Sequence, residues 1–210
     1  MSQGSEPARI VVAASGSGRS LENLIKAQES YHNFEVVGLI SSSAKCKAVK
    51  VARDADLSVF VDSFDSSLLP SSDLKAWLAD MSPRWIVLAG FLKVFPVTFM
   101  GMDWGNRIIN IHPSLLPKFG GRGMYGNRVH QAVLDNGELE SGASIHFVDS
   151  QYDQGQVIAQ VKVPVYGDDD AQMLAQRVFA AECKLYPQVL AELITSDLPL
   201  SSQEIKIYKF

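Results

Sequence analysis

Short apolar runs alternate with helix-like segments through the first half of the chain. The apolar runs, rich in Val and Ile, predict strands at 8–14, 34–40, 57–61, 85–89 and 107–111. Between them, apolar residues at helical spacing predict helices at 21–27, 48–55 and 73–81. Strands that are apolar throughout, with helices between them, are typical of a parallel sheet covered on both faces.

The pattern changes after residue 125. A helix predicted at 127–134 is followed by two strands, at 144–148 and 157–163, and then by a long helix at 170–193. The long helix repeats apolar side chains at helical spacing, at Met173, Leu174, Val178, Ala181 and Leu185.

These elements predict an α/β fold. We expect a single Rossmann-like domain over residues 1–210, with a mostly parallel sheet, helices on both faces and an antiparallel portion at the C-terminal strands. Residues 1–7 are expected to be flexible, and residues 195–210 to form a surface tail.

Composition narrows the function classes. The chain is 47% hydrophobic with a net charge of -4 and a pI near 5.5, which argues against a nucleic-acid-binding protein. No apolar run approaches the length of a membrane span, and the polar N-terminus is too short for a signal peptide. Cys46 and Cys183 form no C-x-x-C pattern, so we expect reduced thiols in a cytoplasmic protein.

Asn110, His112 and Asp153 are the strongest candidates for chemistry. The first two are two residues apart on a predicted strand, so their side chains project to the same side. An amide and an imidazole in that position can stabilise an oxyanion, and a carboxylate facing the imidazole would raise its pKa and help to move a proton. Together they predict acyl-group transfer.

The segment SGSGRS, residues 15–20, follows the first strand and opens the first helix. Its glycines would let backbone N–H groups approach an anion, although a tight turn with a Ser cap is the alternative. Leu21 occupies the third glycine position of the dinucleotide fingerprint, so a mononucleotide or phosphorylated substrate is favoured over NAD.

Two further loops are candidate parts of the site. LAGFLKVFP, residues 88–96, could line a flat apolar pocket at the sheet edge or simply tuck hydrophobic residues into the core. Gly90 there permits close backbone approach. KFGGRGMYG, residues 118–126, could be a mobile lid or a flexible connection.

A zinc site formed by His112, His130 and His146 is an alternative to a metal-free site. No H-E-x-x-H motif or paired Cys supports zinc. A hydrogen-bonded core position is favoured for His146.

Four segments together resemble the phosphoribosylglycinamide formyltransferases, a family of folate-dependent formyltransferases. They are NIHPSLLP, LAGF, the glycine-rich loop after the first strand, and SIHFV…YDQGQVI. The resemblance covers about residues 9–187 and implies formyl transfer from 10-formyltetrahydrofolate to the amine of glycinamide ribonucleotide, in de novo purine biosynthesis. It implies small-molecule substrates without a metal, nucleic acid or membrane, in a monomer or homodimer.

The resemblance also implies residue roles. Asn110, His112 and Asp153 match catalytic residues. The folate co-substrate is matched to a second set of positions, namely Leu92, Lys93, Val94, Phe95, Asn110 and Val148. The ribonucleotide is matched to a third set, namely Gly18, Arg19, Ser20, Gly90 and Glu182.

Two departures from the family pattern concern anion contacts. The phosphate loop, usually Gly-Ser-Asn, reads Gly18-Arg19-Ser20 here. The Arg that usually follows the third strand and contacts the co-substrate is missing, and Ser67 falls nearest to its position.

Other functions remain open. Methionyl-tRNA formyltransferases and formyltetrahydrofolate hydrolases resemble this domain but carry additional domains. Sugar-nucleotide formyltransferases and a non-enzymatic nucleotide-binding module are the remaining alternatives.

Overall fold

The structure is a computed structural model that describes residues 6–64, 71–97, 104, 106–196 and 205–210. The strands are β1 (Ala8–Ala13), β2 (Phe34–Ser41), β3 (Ser58–Val61), β4 (Trp85–Leu88), β5 (Ile108–His112), β6 (Glu140–Phe147), β7 (Val157–Pro164) and β8 (Lys206–Tyr208). The helices are α1 (Arg19–Tyr31), α2 (Lys47–Asp54), α3 (Ser72–Met81), α4 (Asn127–Asp135) and α5 (Ala171–Ser196).

The strands form one sheet in the order β3-β2-β1-β4-β5-β6-β7-β8. The pairs from β3 to β5 are parallel, and β6 runs antiparallel to both β5 and β7. The predicted α/β fold, with its mostly parallel sheet and antiparallel C-terminal portion, is therefore confirmed.

The core lies on both faces of the sheet, because successive side chains of a strand point to opposite faces. In β1, Ile10 and Val12 belong to a cluster with the apolar residues of α1, α2, α4 and α5. Val11 and Ala13 pack instead in a second cluster with Leu74 of α3. Helices thus cover both faces, as the apolar strands predicted.

Tyr186 joins α5 to the two central strands. Its hydroxyl donates to the carbonyl oxygens of Leu88, at 2.8 Å, and Ile109, at 3.2 Å. Burial raises the pKa of the Tyr186 phenol well above its usual range, so the hydroxyl stays protonated and acts as a donor. These bonds fix β4 at its last residue, Leu88, and β5 immediately before Asn110.

The largest differences from the predicted elements lie in the C-terminal half. Strand β6 begins at Glu140 rather than at residue 144, and β5 extends to His112. Within the surface tail expected at residues 195–210, the structure adds two elements: α5 continues to Ser196, and β8 pairs in parallel with β7. Three residues of pairing carry too weak a periodic signal to be predicted as a strand.

Some expectations concern parts of the chain outside the described residues. Residues 1–5 of the segment expected to be flexible are among them. So is Ser67, the nearest substitute for the missing Arg.

Replacing the buried Tyr186 hydroxyl tests how strongly α5 is fixed to the sheet. Tyr186→Phe removes the donor shared by two buried carbonyls and should lower the free energy of unfolding by about 1–3 kcal/mol. Chemical denaturation followed by circular dichroism measures the change.

Tyr208→Phe is the matched control. Its hydroxyl donates to Glu192 at a partly exposed position, where water can replace the lost partner. It should therefore cost less stability. Equal losses in the two variants would contradict a special role for Tyr186.

Candidate active site

Two cavities meet at the carboxyl ends of β4 and β5. The larger, of about 590 Å³, is lined by His112 and by the glycine-rich segments after β1 and β5. The smaller, of about 60 Å³, lies beside Lys93 and Val148. Asn110 and Asp153 line both cavities. Molecules bound in the two cavities would therefore face the same polar side chains.

Asn110 is positioned by the antiparallel register between β5 and β6, which places it opposite His146. The His146 Nδ1 lies 2.8 Å from the carbonyl oxygen of Phe147, so Nδ1 carries the hydrogen and Nε2 is an acceptor. Asn110 Nδ2 donates to that Nε2 at 3.0 Å. The second hydrogen on Nδ2 remains for another acceptor.

His112 is held by two groups. Its Nε2 donates to the carbonyl oxygen of Phe119 at 2.8 Å, and its Nδ1 lies 3.4 Å from Asp153 Oδ2. A neutral imidazole with its hydrogen on Nε2 turns an unprotonated Nδ1 toward the carboxylate. A proton arriving at Nδ1 would therefore be stabilised at once by Asp153.

Burial and the facing carboxylate act on the pKa of His112 in opposite directions. Burial lowers the pKa of His112, Asp153 and the Phe119 carbonyl oppose that effect, and the net direction is downward. The carboxylate raises the pKa, as expected from sequence, but desolvation outweighs its effect. Burial therefore favours the neutral form of His112, while the facing carboxylate favours the protonated form.

Asp153 lies at a backbone φ of 55°, in the left-handed region, and accepts a 2.9 Å hydrogen bond from the backbone N–H of Gly121. Its Oδ1 is 3.5 Å from His146 Nε2. Burial would raise its pKa, but His146, His112 and Gly121 together lower it. The carboxylate therefore stays ionised although it is nearly enclosed.

The loop that carries Asp153 reaches the site by an indirect route. Because β6 runs antiparallel, this loop leaves the sheet beside Ile108, where the Val148 N–H donates to the Ile108 carbonyl. It must fold back along β5 to bring Asp153 to His112. Gly155 makes this possible, since a Cβ there would collide with the carbonyl oxygen of Phe147. Functional loops of open α/β sheets usually leave from the carboxyl ends of parallel strands. This loop is different, because it follows an antiparallel strand.

The larger cavity contains all the positions that were matched to the ribonucleotide. Gly18, at a φ of 80°, precedes the first turn of α1, which has no side-chain cap. The Arg19 guanidinium lies 4.0 Å from the centroid of the Phe179 ring. Burial raises the pKa of Glu182 to about 7, with Arg19 opposing the rise. Ser20 and Gly90 line the same cavity.

The smaller cavity contains most of the positions matched to the folate. Lys93, Val94, Phe95 and Val148 line it together with Asn110 and Asp153. Leu92 is the exception, because it is 48% exposed and lines the larger cavity. An aromatic cluster of Phe64, Phe91 and Phe95 adjoins this side, with Phe91 and Phe95 centroids 5.8 Å apart.

Sequence reasoning missed several groups that contact the candidate residues. His146 is buried and hydrogen-bonded, as expected, but its partner is the candidate residue Asn110. The alternation of side chains along the strand indicates which face His146 occupies. Its partner Asn110 is set by the strand register, which exists only in the folded sheet. No feature of the sequence could identify the Phe119 carbonyl as a partner of His112, because any residue at that position would supply a carbonyl. Phe179, one turn before Glu182 on α5, also went unnoticed.

The described residues contain no group of three or more His, Cys, Asp and Glu side chains arranged to hold a metal ion. Among the same residues, no helix combines the length and apolar character of a membrane span.

Comparisons with known proteins agree with this architecture. The sequence profile described as "Formyl transferase" matches residues 8–190. The chloroplastic phosphoribosylglycinamide formyltransferase of Arabidopsis thaliana is 37% identical over 195 residues, which cover 90% of this chain and 66% of the relative. The Escherichia coli K12 phosphoribosylglycinamide formyltransferase is 34% identical over 186 residues, which cover 87% and 85% of the two chains.

A solved structure is similar over the same region. The phosphoribosylglycinamide formyltransferase of Coxiella burnetii superposes with a TM-score of 0.78 at 35% identity, covering 89% of this chain and 86% of the other. The chain spans slightly less than two thirds of the length of the Arabidopsis relative.

Adding a methyl group at Gly155 tests whether the folded-back loop positions Asp153. Gly155→Ala forces the loop away from Phe147 and should displace Asp153 from His112. We expect a loss of stability of about 1–3 kcal/mol and a smaller chemical-shift response of the His112 ring to Asp153 ionisation, measured by NMR titration.

Gly167→Ala is the matched control, because no atom lies within 4 Å of a Cβ at that position. It should leave both measurements unchanged. A Gly155→Ala protein with wild-type stability and titration would show that the close approach to Phe147 has no such role.

Proposed function

The chain belongs to the formyl transferase family, and on that premise we propose that it transfers a formyl group from 10-formyltetrahydrofolate to the amine of glycinamide ribonucleotide. This reaction would serve de novo purine biosynthesis. The observation that carries the proposal is that two separate cavities share Asn110 and Asp153. A direct transfer between two bound molecules needs both reactants at the same catalytic groups.

The larger cavity is the proposed site of the ribonucleotide. The uncapped N–H groups at the start of α1 favour an anion, and they follow Gly18, which lacks a side chain and so packs closely against Ala48 of α2. Arg19 adds a positive charge at the same end. Glu182, on α5, supplies a carboxyl group that can hold an amine. An anion site and a carboxyl group in one cavity suit an acceptor that carries both a phosphate and an amine.

The smaller cavity is the proposed entry for the folate. Val94, Phe95 and Val148 give it an apolar wall, which suits a flat heterocyclic ring, and Lys93 adds a cation. At about 60 Å³ it is too small to hold such a ring, so we propose that the segment after β4 shifts as the folate binds.

In the proposed reaction the acceptor amine attacks the formyl carbon. A new C–N bond forms, and the carbonyl oxygen becomes an oxyanion. The free hydrogen on Asn110 Nδ2 and the hydrogen on His112 Nε2 are the proposed donors to this oxygen. In the ligand-free protein, the hydrogen on His112 Nε2 is donated to the Phe119 carbonyl. The oxyanion would therefore have to displace that carbonyl or share the hydrogen with it.

Proton transfer is assigned to His112 and Asp153. The attacking nitrogen gains a positive charge and must lose a proton, while the folate nitrogen must gain one as its bond to the formyl carbon breaks. An ionised Asp153 beside a neutral His112 can accept the proton, through water, and pass it to the leaving nitrogen. The proposed steps require no metal and no covalent intermediate on the protein.

A single assay tests the proposal against its alternatives. Purified protein is mixed with 10-formyltetrahydrofolate and glycinamide ribonucleotide, and the formylated product is measured. Amine-bearing nucleotide sugars serve as acceptor controls, because they also carry an amine and phosphate groups but in a different molecular arrangement. Turnover only with the sugars would reassign the acceptor, and tight binding without turnover would indicate a non-enzymatic binding module.

The compartment, the kind of substrate and the oligomeric state are also proposals. We propose a cytoplasmic enzyme that acts on small molecules as a monomer or homodimer. The free thiols of Cys46 and Cys183 are compatible with a reducing compartment.

Asp153→Asn tests the proton-transfer role. The amide keeps the shape of the carboxylate but cannot accept a proton, so kcat should fall by about 10²–10⁴-fold while KM for both substrates changes little. Steady-state kinetics with each substrate varied in turn measures both values.

Asp149→Asn is the matched control. Asp149 lies in the same loop and lines the smaller cavity, and its carboxylate accepts a hydrogen bond from the Gln151 N–H in that loop. It should leave kcat near the wild-type value. If Asp153→Asn retains near-full turnover with a changed folate affinity, Asp153 has only a binding role.

Arg19→Ala tests the departure from the family phosphate loop. If Arg19 contacts the substrate phosphate, the KM for glycinamide ribonucleotide should rise about ten- to a hundredfold, which corresponds to roughly 1.5–3 kcal/mol. The KM for the folate should stay nearly unchanged, because Arg19 does not line the smaller cavity. Added salt should shrink the effect, since Arg19 is exposed.

Arg53→Ala, at the exposed end of α2, controls for the loss of one positive charge. It should not alter either KM. An unchanged ribonucleotide KM in Arg19→Ala at low salt would assign the phosphate to backbone N–H groups alone.

A further inference from the structure

His130 is a buried imidazole on α4 that the proposed chemistry does not use. It is 4% exposed and lines the larger cavity together with His112. Its Nδ1 is enclosed and makes no hydrogen bond to any part of the chain that the structure describes. Buried polar atoms normally have partners, so an unpaired one beside a candidate active site requires an explanation.

The neighbouring polar side chains already have partners. Asn110 is bonded to His146, and His112 to the Phe119 carbonyl. Asp153 accepts from Gly121 and faces both of the other histidines. Within this described cluster, His130 Nδ1 is the enclosed side-chain nitrogen that has no hydrogen-bond partner.

Packing alone gives a poor account of His130. On α4 it is buried together with Val129 and Val133. An apolar side chain of similar size would fill this space without leaving an unpaired nitrogen, which costs stability. A binding partner that arrives with a ligand would remove that cost.

His130 can accept a hydrogen bond at neutral pH. Burial, together with the nearby His112, lowers its pKa to about 4, so the ring is uncharged. An uncharged ring also leaves His112 free to gain a proton, whereas a second positive charge would oppose that step.

We propose that His130 is a substrate-binding residue whose Nδ1 hydrogen-bonds the amine end of an amine-bearing ribose phosphate and orients the attacking nitrogen. This inference rests on the proposed function and deepens it. The acceptor is chosen over the folate because His130 lines the larger cavity and is not among the residues of the smaller one.

A small motion is part of the proposal, because Nδ1 is enclosed in the ligand-free protein. The ring can turn about its Cβ–Cγ bond, or the first turn of α4 can shift. That turn is preceded by Gly126, at a φ of 56°, and by Gly121 and Gly123, also at positive φ. These glycines can absorb a backbone change next to α4.

Three substitutions test the inference. His130→Leu removes both nitrogens, His130→Asn keeps an amide atom near the position of Nδ1, and His130→Gln places one near Nε2. For the Leu variant we expect a Tm at or above that of the wild type, a rise of about tenfold in the acceptor KM, and an unchanged folate KM. The Asn variant should recover most of the acceptor affinity, and the Gln variant should not.

Gln131→Leu, on the exposed side of α4, controls for substitution in this helix. Acceptor binding is also measured by calorimetry, so the residue can be assessed without turnover. A wild-type protein without formyl transfer would defeat the proposed function. Unchanged acceptor affinity in His130→Leu would instead overturn the role of His130. If the Leu variant does not fold, equal acceptor affinity in the Asn and Gln variants would overturn it.

Discussion

The antiparallel pairing of β5 with β6 is the constraint on which the candidate site depends. It places His146 opposite Asn110 and so gives a buried amide a buried partner. Asp153 then completes the group by facing both His146 and His112. Because buried polar groups are costly without partners, the Asn110–His146 bond and the bonds of His112 and Asp153 to the backbone of Phe119 and Gly121 hold these four side chains in a single arrangement. A shift of one residue between the strands would turn His146 to the other face of the sheet.

The polar cluster also connects the catalytic candidates to the glycine-rich segment that follows β5. The Phe119 carbonyl accepts from His112, and the Gly121 N–H donates to Asp153. Phe119 and Asp153 both have positive φ, a conformation that costs energy in residues other than glycine. The glycine-rich segment and the side chains of His112 and Asp153 are therefore coupled. A ligand that shifts His112 would also shift this segment, which leads to α4.

Most of the fold could be predicted from local pattern. The apolar strands β1, β2 and β4 and the long helix α5 were found within a few residues, because their periodicity is strong. β8 was missed, since three residues carry little periodic signal. The motif residues Asn110, His112 and Asp153 were also identified, because each is a polar side chain next to an apolar run. Their close approach to one another is a property of the folded chain.

The sequence by itself determined the fold class, the family resemblance and the residue types available for chemistry. Local periodicity and motif spacing carry that information. Only the tertiary structure decided that His146 pairs with Asn110, that the Phe119 carbonyl holds His112, and that His130 is left with an unpaired nitrogen. Hydrogen-bond partners and desolvation depend on which distant segments meet in space. Burial likewise decided the net direction of the His112 pKa, because the loss of water outweighed the nearby carboxylate.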